Sequence, residues 1–337
     1  MKAIVMPKPG IVEVRDIARP ERREGETLLR LVMGGICGSD LGSYRGKSAY
    51  MKYPNVIGHE FAAEVVESDS PALHPGMLVT VNPYFNCGHC YACRRGFVHC
   101  CINNQTMGVQ REGAFAEYIS VPTPRVYDGT GIDPRELALV EPFCISHHGV
   151  SRAAIQPGER VLVMGGGAIG ILAALTAHLQ GAKVYVCDIA KEKLAFIAAN
   201  FPVDGVILNE GEAALEEAGM RITEGDGFDV TVEAAGVPES FVDCCRLAAS
   251  RGRLIQIGVS ARNADFPFLL LQKKELTAMG SRAATKDDFM QTMAYVREGR
   301  VQLSRLISKT YRMEDAADAF RDLDANAGSY VKMELEF

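Results

Sequence analysis

Residues 161–170 read Val161-Leu162-Val163-Met164-Gly165-Gly166-Gly167-Ala168-Ile169-Gly170, an apolar run followed by the pattern G-x-G-x-x-G. The run reads as a buried strand and the segment after it as a helix, so the glycines stand at a strand-to-helix turn. Each glycine meets a separate need there. Gly165 permits the tight turn, Gly167 lets the main chain approach a pyrophosphate, and Gly170 lets helix and strand pack closely. Ala168 and Ile169 fall in the first helical turn, whose free N–H groups and positive dipole end favour phosphate. Asp188 closes the next strand, roughly 20 residues past the turn, where a carboxylate can accept from both ribose hydroxyls. The same charge repels a 2′-phosphate, and no arginine follows in Ile189-Ala190-Lys191. The turn therefore predicts a dinucleotide site that prefers NAD to NADP.

Working outward, strand-like and helical segments alternate from about 159 to 280. The expected strands are Val161–Met164, Lys183–Asp188, Gly205–Leu208, Asp229–Glu233, Arg253–Gly258 and Leu276–Met279, with helices near 168–180, 191–200, 211–223 and 238–250. That alternation predicts a doubly wound parallel sheet. Residues 1 to about 140 have another rhythm. Short runs such as Thr27–Met33, Ala62–Glu67, Met77–Val81 and Phe115–Val121 are separated by Gly- and Pro-rich turns, which predicts a mostly β domain. Two helical segments, near 286–298 and 313–323, precede a last strand in which Val331, Met333, Leu335 and Phe337 alternate with Lys332, Glu334 and Glu336. Such period-2 alternation needs one sheet face to cover, and the N-terminal β domain can supply it. The expected fold class is α/β. Residues 1–142 and 281–337 form a discontinuous β domain, and residues 143–280 form the nucleotide-binding sheet.

The length, 337 residues, exceeds one ordinary core and suits about two domains. Apolar residues make up 47% and charged residues 23%, a balance normal for a soluble globular protein. A net charge of −6, without any block of lysines and arginines, argues against nucleic acid or anionic lipid as a partner. The start, Met1-Lys2-Ala3-Ile4-Val5-Met6-Pro7-Lys8-Pro9, has too short an apolar run for a signal peptide. No run approaches the ~18 apolar residues that a membrane helix needs. The expectation is a cytoplasmic protein with reduced thiols, so its ten cysteines point to metal before disulfides.

Cys87-x2-Cys90-x2-Cys93-x7-Cys101 places four thiolates in one loop, the complement of a closed tetrahedral zinc site. A full thiolate shell leaves no place for substrate, so this zinc is structural. Cys100, beside Cys101, is read as a spare thiol. Cys144, Cys187, Cys244 and Cys245 are read as small packed residues. A second constellation is Cys37-Gly38-Ser39-Asp40, Gly58-His59-Glu60 and Glu141-Pro142. A cysteine, a histidine and a carboxylate make an incomplete shell, which suits zinc with an open position. Spacing alone does not unite residues so far apart, and a lone histidine in a strand is more often a core group.

Taken in order, these motifs resemble the zinc-containing medium-chain alcohol dehydrogenases, most closely their polyol and sugar dehydrogenase branch. The resemblance covers essentially the whole chain. It implies a GroES-like β domain joined to a Rossmann domain, two zinc ions per subunit (one catalytic, one structural), NAD, and a homodimer or homotetramer. Cys37 and His59 are implied as catalytic zinc ligands, with Glu60 or Glu141 as the third. Ser39 matches the hydroxyl that passes the substrate proton outward, and Asp40 the carboxylate that orients the ligand histidine. Gly258, Ser281 and Arg282 are implied on the cofactor, the last two at its nicotinamide end. The implied reaction moves a hydride between a nicotinamide ring and a secondary alcohol carbon, with the metal as Lewis acid.

Two stretches, Glu141–His148 and Lys273–Thr285, look like those of bacterial dehydrogenases acting on six-carbon sugar acids. Arg282 then offers a cation for a carboxylate or hydroxyls, unless it is spent on a structural ion pair. Two departures stand out. Relatives commonly carry histidine where this chain has Gly42, so Tyr44 or water must replace the outer proton relay. The sugar-acid relatives tend to read His-Gln-Asp-Gly-Gly where this chain has Gln110-Arg111-Glu112-Gly113-Ala114. Arg111 adds a cation there. The expected substrate is a sugar acid, with a polyol or polyol phosphate as the alternative. An NAD-binding sensor that has lost the reaction is the reading from another class.

Overall fold

Strands in the first 141 residues pair with those of the tail, while strands between 142 and 284 pair only among themselves. The computed structural model, which describes residues 1–48 and 50–337, accordingly falls into two units. They are Met1–Glu141 with Thr285–Phe337, and Pro142–Ala284. The chain returns to the first unit at Thr285, beyond the expected 281. Ser281 N still donates to Gln256 O at 2.8 Å, which ties that residue to the second unit's sheet. Thr285 then opens helix Lys286–Arg297 with a capping box, its N–H donating to Asp288 and its hydroxyl accepting from Asp288 N.

In the first unit the strands are β1 (Lys2–Lys8), β2 (Ile11–Asp16), β3 (Glu26–Ile36), β4 (Asn55–Val56), β5 (Glu60–Ser68), β6 (Leu78–Val81), β7 (Tyr84–Phe85), β8 (Gln105–Thr106), β9 (Tyr118–Pro122) and β10 (Val126–Asp128). The long strand β3 organises them, pairing antiparallel with both β5 and β9. Leu29, Leu31, Phe61, Ala63, Val65 and Phe115 are buried in one core together with Phe320 of the tail. Each large apolar side chain so buried stabilises the unit by about 1.5–3 kcal/mol before entropy is counted.

The second unit supplies β11 (Arg160–Met164), β12 (Lys183–Asp188), β13 (Gly205–Leu208), β14 (Phe228–Glu233), β15 (Ala248–Gln256) and β16 (Thr277–Gly280). Their order is β13-β12-β11-β14-β15-β16, with all neighbours parallel. This is the doubly wound sheet expected from the glycine turn. The helix expected over 238–250 stops at Leu247. Ala248 leaves the helix because it already pairs with Phe228 of β14, and Ala249 and Ser250 continue as strand.

The tail returns to the first unit as β17 (Ile307–Arg312) and β18 (Lys332–Glu336). Here the single-face expectation is corrected. β18 lies inside the sheet, antiparallel to β3 on one side and parallel to β17 on the other. Lys332, Met333, Glu334 and Leu335 are 5%, 0%, 0% and 0% exposed, so both faces are covered. The charged residues of the alternation therefore need partners inside the protein. Among the described residues no helix is long and apolar enough to cross a membrane.

Candidate active site

Strand β3 ends at Ile36, and Cys37 is the N-cap of the helix Gly38–Tyr44. Cys37 N donates to Asp40 Oδ2 at 3.0 Å, which fixes the first turn. Asp40 is buried, and its other oxygen lies 4.0 Å from His59 Nδ1. Burial pushes the Asp40 carboxyl up, and the charge of His59 pulls it back. With Nδ1 turned to Asp40, His59 keeps Nε2 for a ligand.

Glu60 opens β5 opposite Gly35 of β3. A Cβ at Gly35 would collide with Glu60 Oε2, so the glycine is what lets the carboxylate lie across the strand. Ligand atoms of Cys37, His59 and Glu60 all come within 4.8 Å of one another. Lys332 Nζ stands 2.5 Å from Glu60 Oε2 and donates to Ile36 O at 3.3 Å. Neither Glu60 oxygen is aligned for a hydrogen bond, and His59 Nδ1 has none either. The distance still makes Lys332–Glu60 an ion pair, because charge attraction is not directional.

Glu141, in the first turn of helix Val140–Ser151, is also buried. Tyr84 Oη donates to its Oε1. Burial pushes its carboxyl well above the usual range; His59 opposes the shift, while Glu60 and Cys37 add to it. Burial also pushes the Cys37 thiol up to about 12, helped by Glu60. So many acidic groups around one imidazole call for a dication. The donor chemistry, the burial of His59 and Glu60 and the unpartnered Oε1 of Glu60 fit a zinc ion with an open position. Of the two carboxylates expected as third ligand, Glu60 belongs to the close set.

Ser39 is exposed in the first helical turn, and its hydroxyl works against the rise of the Cys37 thiol. Space around Gly42 is open. Tyr44 turns its ring to Phe320, with 5.6 Å between centroids, so it belongs to the core rather than to a relay. Arg111 lies over the Phe85 ring, 3.6 Å from its centroid.

Cys87, Cys90, Cys93 and Cys101 form the second close set, and Cys100 is exposed apart from it. Cys90 Sγ lies 3.5 Å from Cys93 Sγ and 3.9 Å from Cys101 Sγ. Cys87 N donates to Cys101 Sγ at 3.3 Å. The backbone N–H of His89 leads the groups that bring the Cys87 thiol down to about 6, whereas burial pushes Cys101 up to about 11. Four sulfurs with N–H groups turned onto them suit a thiolate-bound metal. Cys144, Cys187, Cys244 and Cys245 are buried, as expected of packed residues.

In the second unit the glycine turn joins β11 to the helix Ala168–Leu179, with Gly167 as N-cap. A Cβ at Gly170 would strike Gly165 O, so that contact requires glycine. Asp188 Oδ2 accepts from Gly166 N at 2.7 Å and Oδ1 from Ala190 N at 2.9 Å. The carboxylate therefore sits directly against the glycine turn. Gly258 N donates to Glu233 O at 3.0 Å. Ser281 Oγ is buried without a hydrogen-bond partner, and Arg282 is exposed.

Three residues escape a reading of the sequence. Lys332 looks like one polar step in an alternating strand. Tyr84 carries no motif. Glu233 reads as the end of a strand, yet it is buried and accepts from Ala235 N, Gly236 N and Ser240 Oγ at 2.9, 2.8 and 2.6 Å. Only the Gly34-Gly35 pair, unusual inside a strand, hinted that something presses on β3 there.

Known proteins are similar to this chain over essentially its whole length. The alcohol dehydrogenase GroES-like domain family matches residues 23–131, and the zinc-binding dehydrogenase family matches residues 168–298. L-galactonate-5-dehydrogenase of Escherichia coli K12 is 34% identical over 334 residues, covering 98% of this chain and 97% of that one. The crystal structure of Escherichia coli galactitol-1-phosphate dehydrogenase is similar with a TM-score of 0.90 at 30% identity, covering 100% of both chains. That of a short chain alcohol dehydrogenase of Escherichia coli CFT073, complexed with NADH, gives 0.92 at 27%, covering 100% and 99%.

The chain belongs to the zinc-containing medium-chain alcohol dehydrogenases. Within them it falls in the polyol and sugar dehydrogenase branch, oxidoreductases that act on CH–OH groups with zinc and a nicotinamide dinucleotide.

Proposed function

We propose that this protein oxidises a secondary hydroxyl of a six-carbon sugar acid to the ketone, with NAD as hydride acceptor. The observation that carries the reading is the close set of half-buried Cys37 with buried His59 and Glu60, with buried Glu141 acting on the same groups and Ser39 exposed two residues from Cys37. Cys37, His59 and Glu60 would hold the catalytic zinc, and Cys87, Cys90, Cys93 and Cys101 the structural one. When bound, zinc supplies a Lewis acid to the substrate hydroxyl, and NAD supplies the hydride acceptor.

The chain's own residues do the rest. Ser39 Oγ takes the proton of the alcohol and hands it to water. Because Ser39 is exposed and the space at Gly42 is open, no outer histidine is needed. Asp40 keeps His59 turned by its Nδ1, and Lys332 keeps Glu60 in place. Asp188 selects NAD by its charge at the phosphate turn. Arg282 is the cation we assign to the substrate carboxylate. Support for the sugar acid comes from the similarity to L-galactonate-5-dehydrogenase.

A polyol phosphate is the second reading, favoured by the likeness to galactitol-1-phosphate dehydrogenase. Steady-state rates with NAD and NADP on aldonates, neutral polyols and polyol phosphates separate the two. Turnover confined to neutral or phosphorylated polyols rules out the sugar acid. Dinucleotide binding with no turnover on any of them points to the sensor.

A further inference from the structure

Tyr84 stands on β7, just ahead of Cys87, and its phenol donates to the buried Glu141. A two-residue strand has almost no ladder of its own to fix it. Among the described residues β7 pairs only with β8, Tyr84 opposite Thr106 and Phe85 opposite Gln105. These two strands are the two ends of the four-cysteine loop. Successive side chains in a strand face opposite ways, so Phe85 points away from Glu141. There its ring lies between two guanidinium groups, Arg111 at 3.6 Å and Arg125 at 4.2 Å from the centroid. Arg125 also donates to Tyr84 O, and to Asn86 Oδ1 at 3.1 Å. Asn86 Nδ2 in turn approaches Cys93 Sγ at 3.7 Å.

We infer that Tyr84 is a positioning residue for Glu141, and that the four-thiol loop, with the Arg111–Phe85–Arg125 stack, holds Tyr84 in place. The inference deepens the dehydrogenase reading and rests on it. Glu141 is buried among Cys37, His59, Glu60 and Lys332, close enough to feel the charge of each. Its Oε1 is occupied by a neutral phenol. Without that hydrogen bond the buried oxygen needs another partner, and the positive groups acting on Glu141 are His59, Lys332 and the metal that Cys37, His59 and Glu60 would hold. Tyr84 thereby decides whether Glu141 stands beside the metal or turns onto it. A zinc held by the four-thiol loop would acquire a task at a distance, since it would close the loop whose end carries Tyr84.

The test uses Tyr84→Phe in the full chain, with cobalt(II) exchanged for zinc at the Cys37–His59 position and zinc kept in the loop. The expected result is a changed visible absorption spectrum of the cobalt. With it, kcat should fall on the order of tenfold to a hundredfold with KM little altered, the size that misplacement of a reacting geometry produces. In a Glu141→Gln background, Tyr84→Phe should change kcat by no more than about twofold, because the two act as one unit. An unchanged cobalt spectrum, or losses that multiply in the double variant, overturns the inference. The spectrum reads the metal's surroundings even if no tested alcohol turns over, so a wrong substrate class and a wrong role for Tyr84 give different results. For the link to the loop, Cys90→Ser should reproduce the altered cobalt spectrum. Should that variant not fold, Arg125→Met, which keeps all four thiols, should do the same. A native spectrum in the folded variant overturns the link.

Discussion

The Lys332 ammonium lies 2.5 Å from the Glu60 carboxylate, and the two side chains are only 5% and 1% exposed. Burial alone pulls Lys332 towards its neutral form, but Glu60, Cys37 and Glu141 outweigh it and hold its pKa above the usual lysine value. Taking away one partner of a buried pair costs about 3–5 kcal/mol, because the other charge stays buried and unmatched. Lys332→Met should therefore lower the urea midpoint of metal-free protein by the equivalent of that loss. Bound zinc should restore part of it by taking over Glu60. An unchanged midpoint in the metal-free variant would show that the pair adds nothing.

Two residues along the same strand, Glu334 is fully buried, and its nearest cation is Arg135, 3.4 Å from Oε2. Burial pushes its carboxyl from 4.5 up to about 8, with Arg135 and Lys332 pulling back. The native protein then keeps a proton that the unfolded chain releases, so this stabilising contribution is complete below pH 4.5 and is lost as pH rises through about 8. Wild type should lose stability relative to Glu334→Gln across that window, by a few kcal/mol at most given about 1.4 kcal/mol per unit. Urea midpoints of both proteins at about pH 5 and about pH 8.5 check this. Parallel pH curves would mean that Glu334 is ionised in the native protein throughout.

What could be read from the sequence follows from how local each requirement is. The parallel sheet was legible because every demand of the phosphate turn falls within residues 161–170 and 188. The four-cysteine loop was legible for the same reason. Cys37, His59 and Glu141 lie on β3's end, β5's start and a distant helix, and only the resemblance to a family joined them. Lys332 was hidden because period-2 alternation distinguishes the two faces of a strand without saying whether either meets water. β18 has β3 and β17 at its two edges, and from Lys332 to Leu335 it is buried on both faces. The helix ending at Leu247 was overrun because Ala248 and Ala249 suit a helix well, and only pairing with Phe228 turns them into strand.

The two donor sets differ in what they can give up. Four clustered sulfurs can hold one metal without using any residue of the Cys37–His59–Glu60 set. His59→Ala should therefore abolish turnover and leave the loop zinc bound, one ion per chain by metal analysis. Cys101→Ser should show the reverse stoichiometric loss, with a lowered melting temperature, since structural zinc contributes folding energy outright. If fully metallated wild type holds zinc only in the four-thiol loop, the proposed chemistry has no Lewis acid.

Asp188 accepts from Gly166 N at 2.7 Å and from Ala190 N at 2.9 Å, so it both braces the phosphate turn and charges it. Asp188→Asn separates the two tasks, because the amide oxygen can still accept from Gly166 while the charge is gone. A hydrogen bond to a charged group contributes about 1.5–3 kcal/mol, which corresponds to roughly a tenfold to hundredfold loss in kcat/KM for NAD. Removing the repulsion of a 2′-phosphate should raise kcat/KM for NADP at the same time. The informative quantity is therefore the ratio of the two cofactors' kcat/KM values. A variant that loses both cofactors equally has lost only the brace, and the charge of Asp188 would then have no part in choosing NAD.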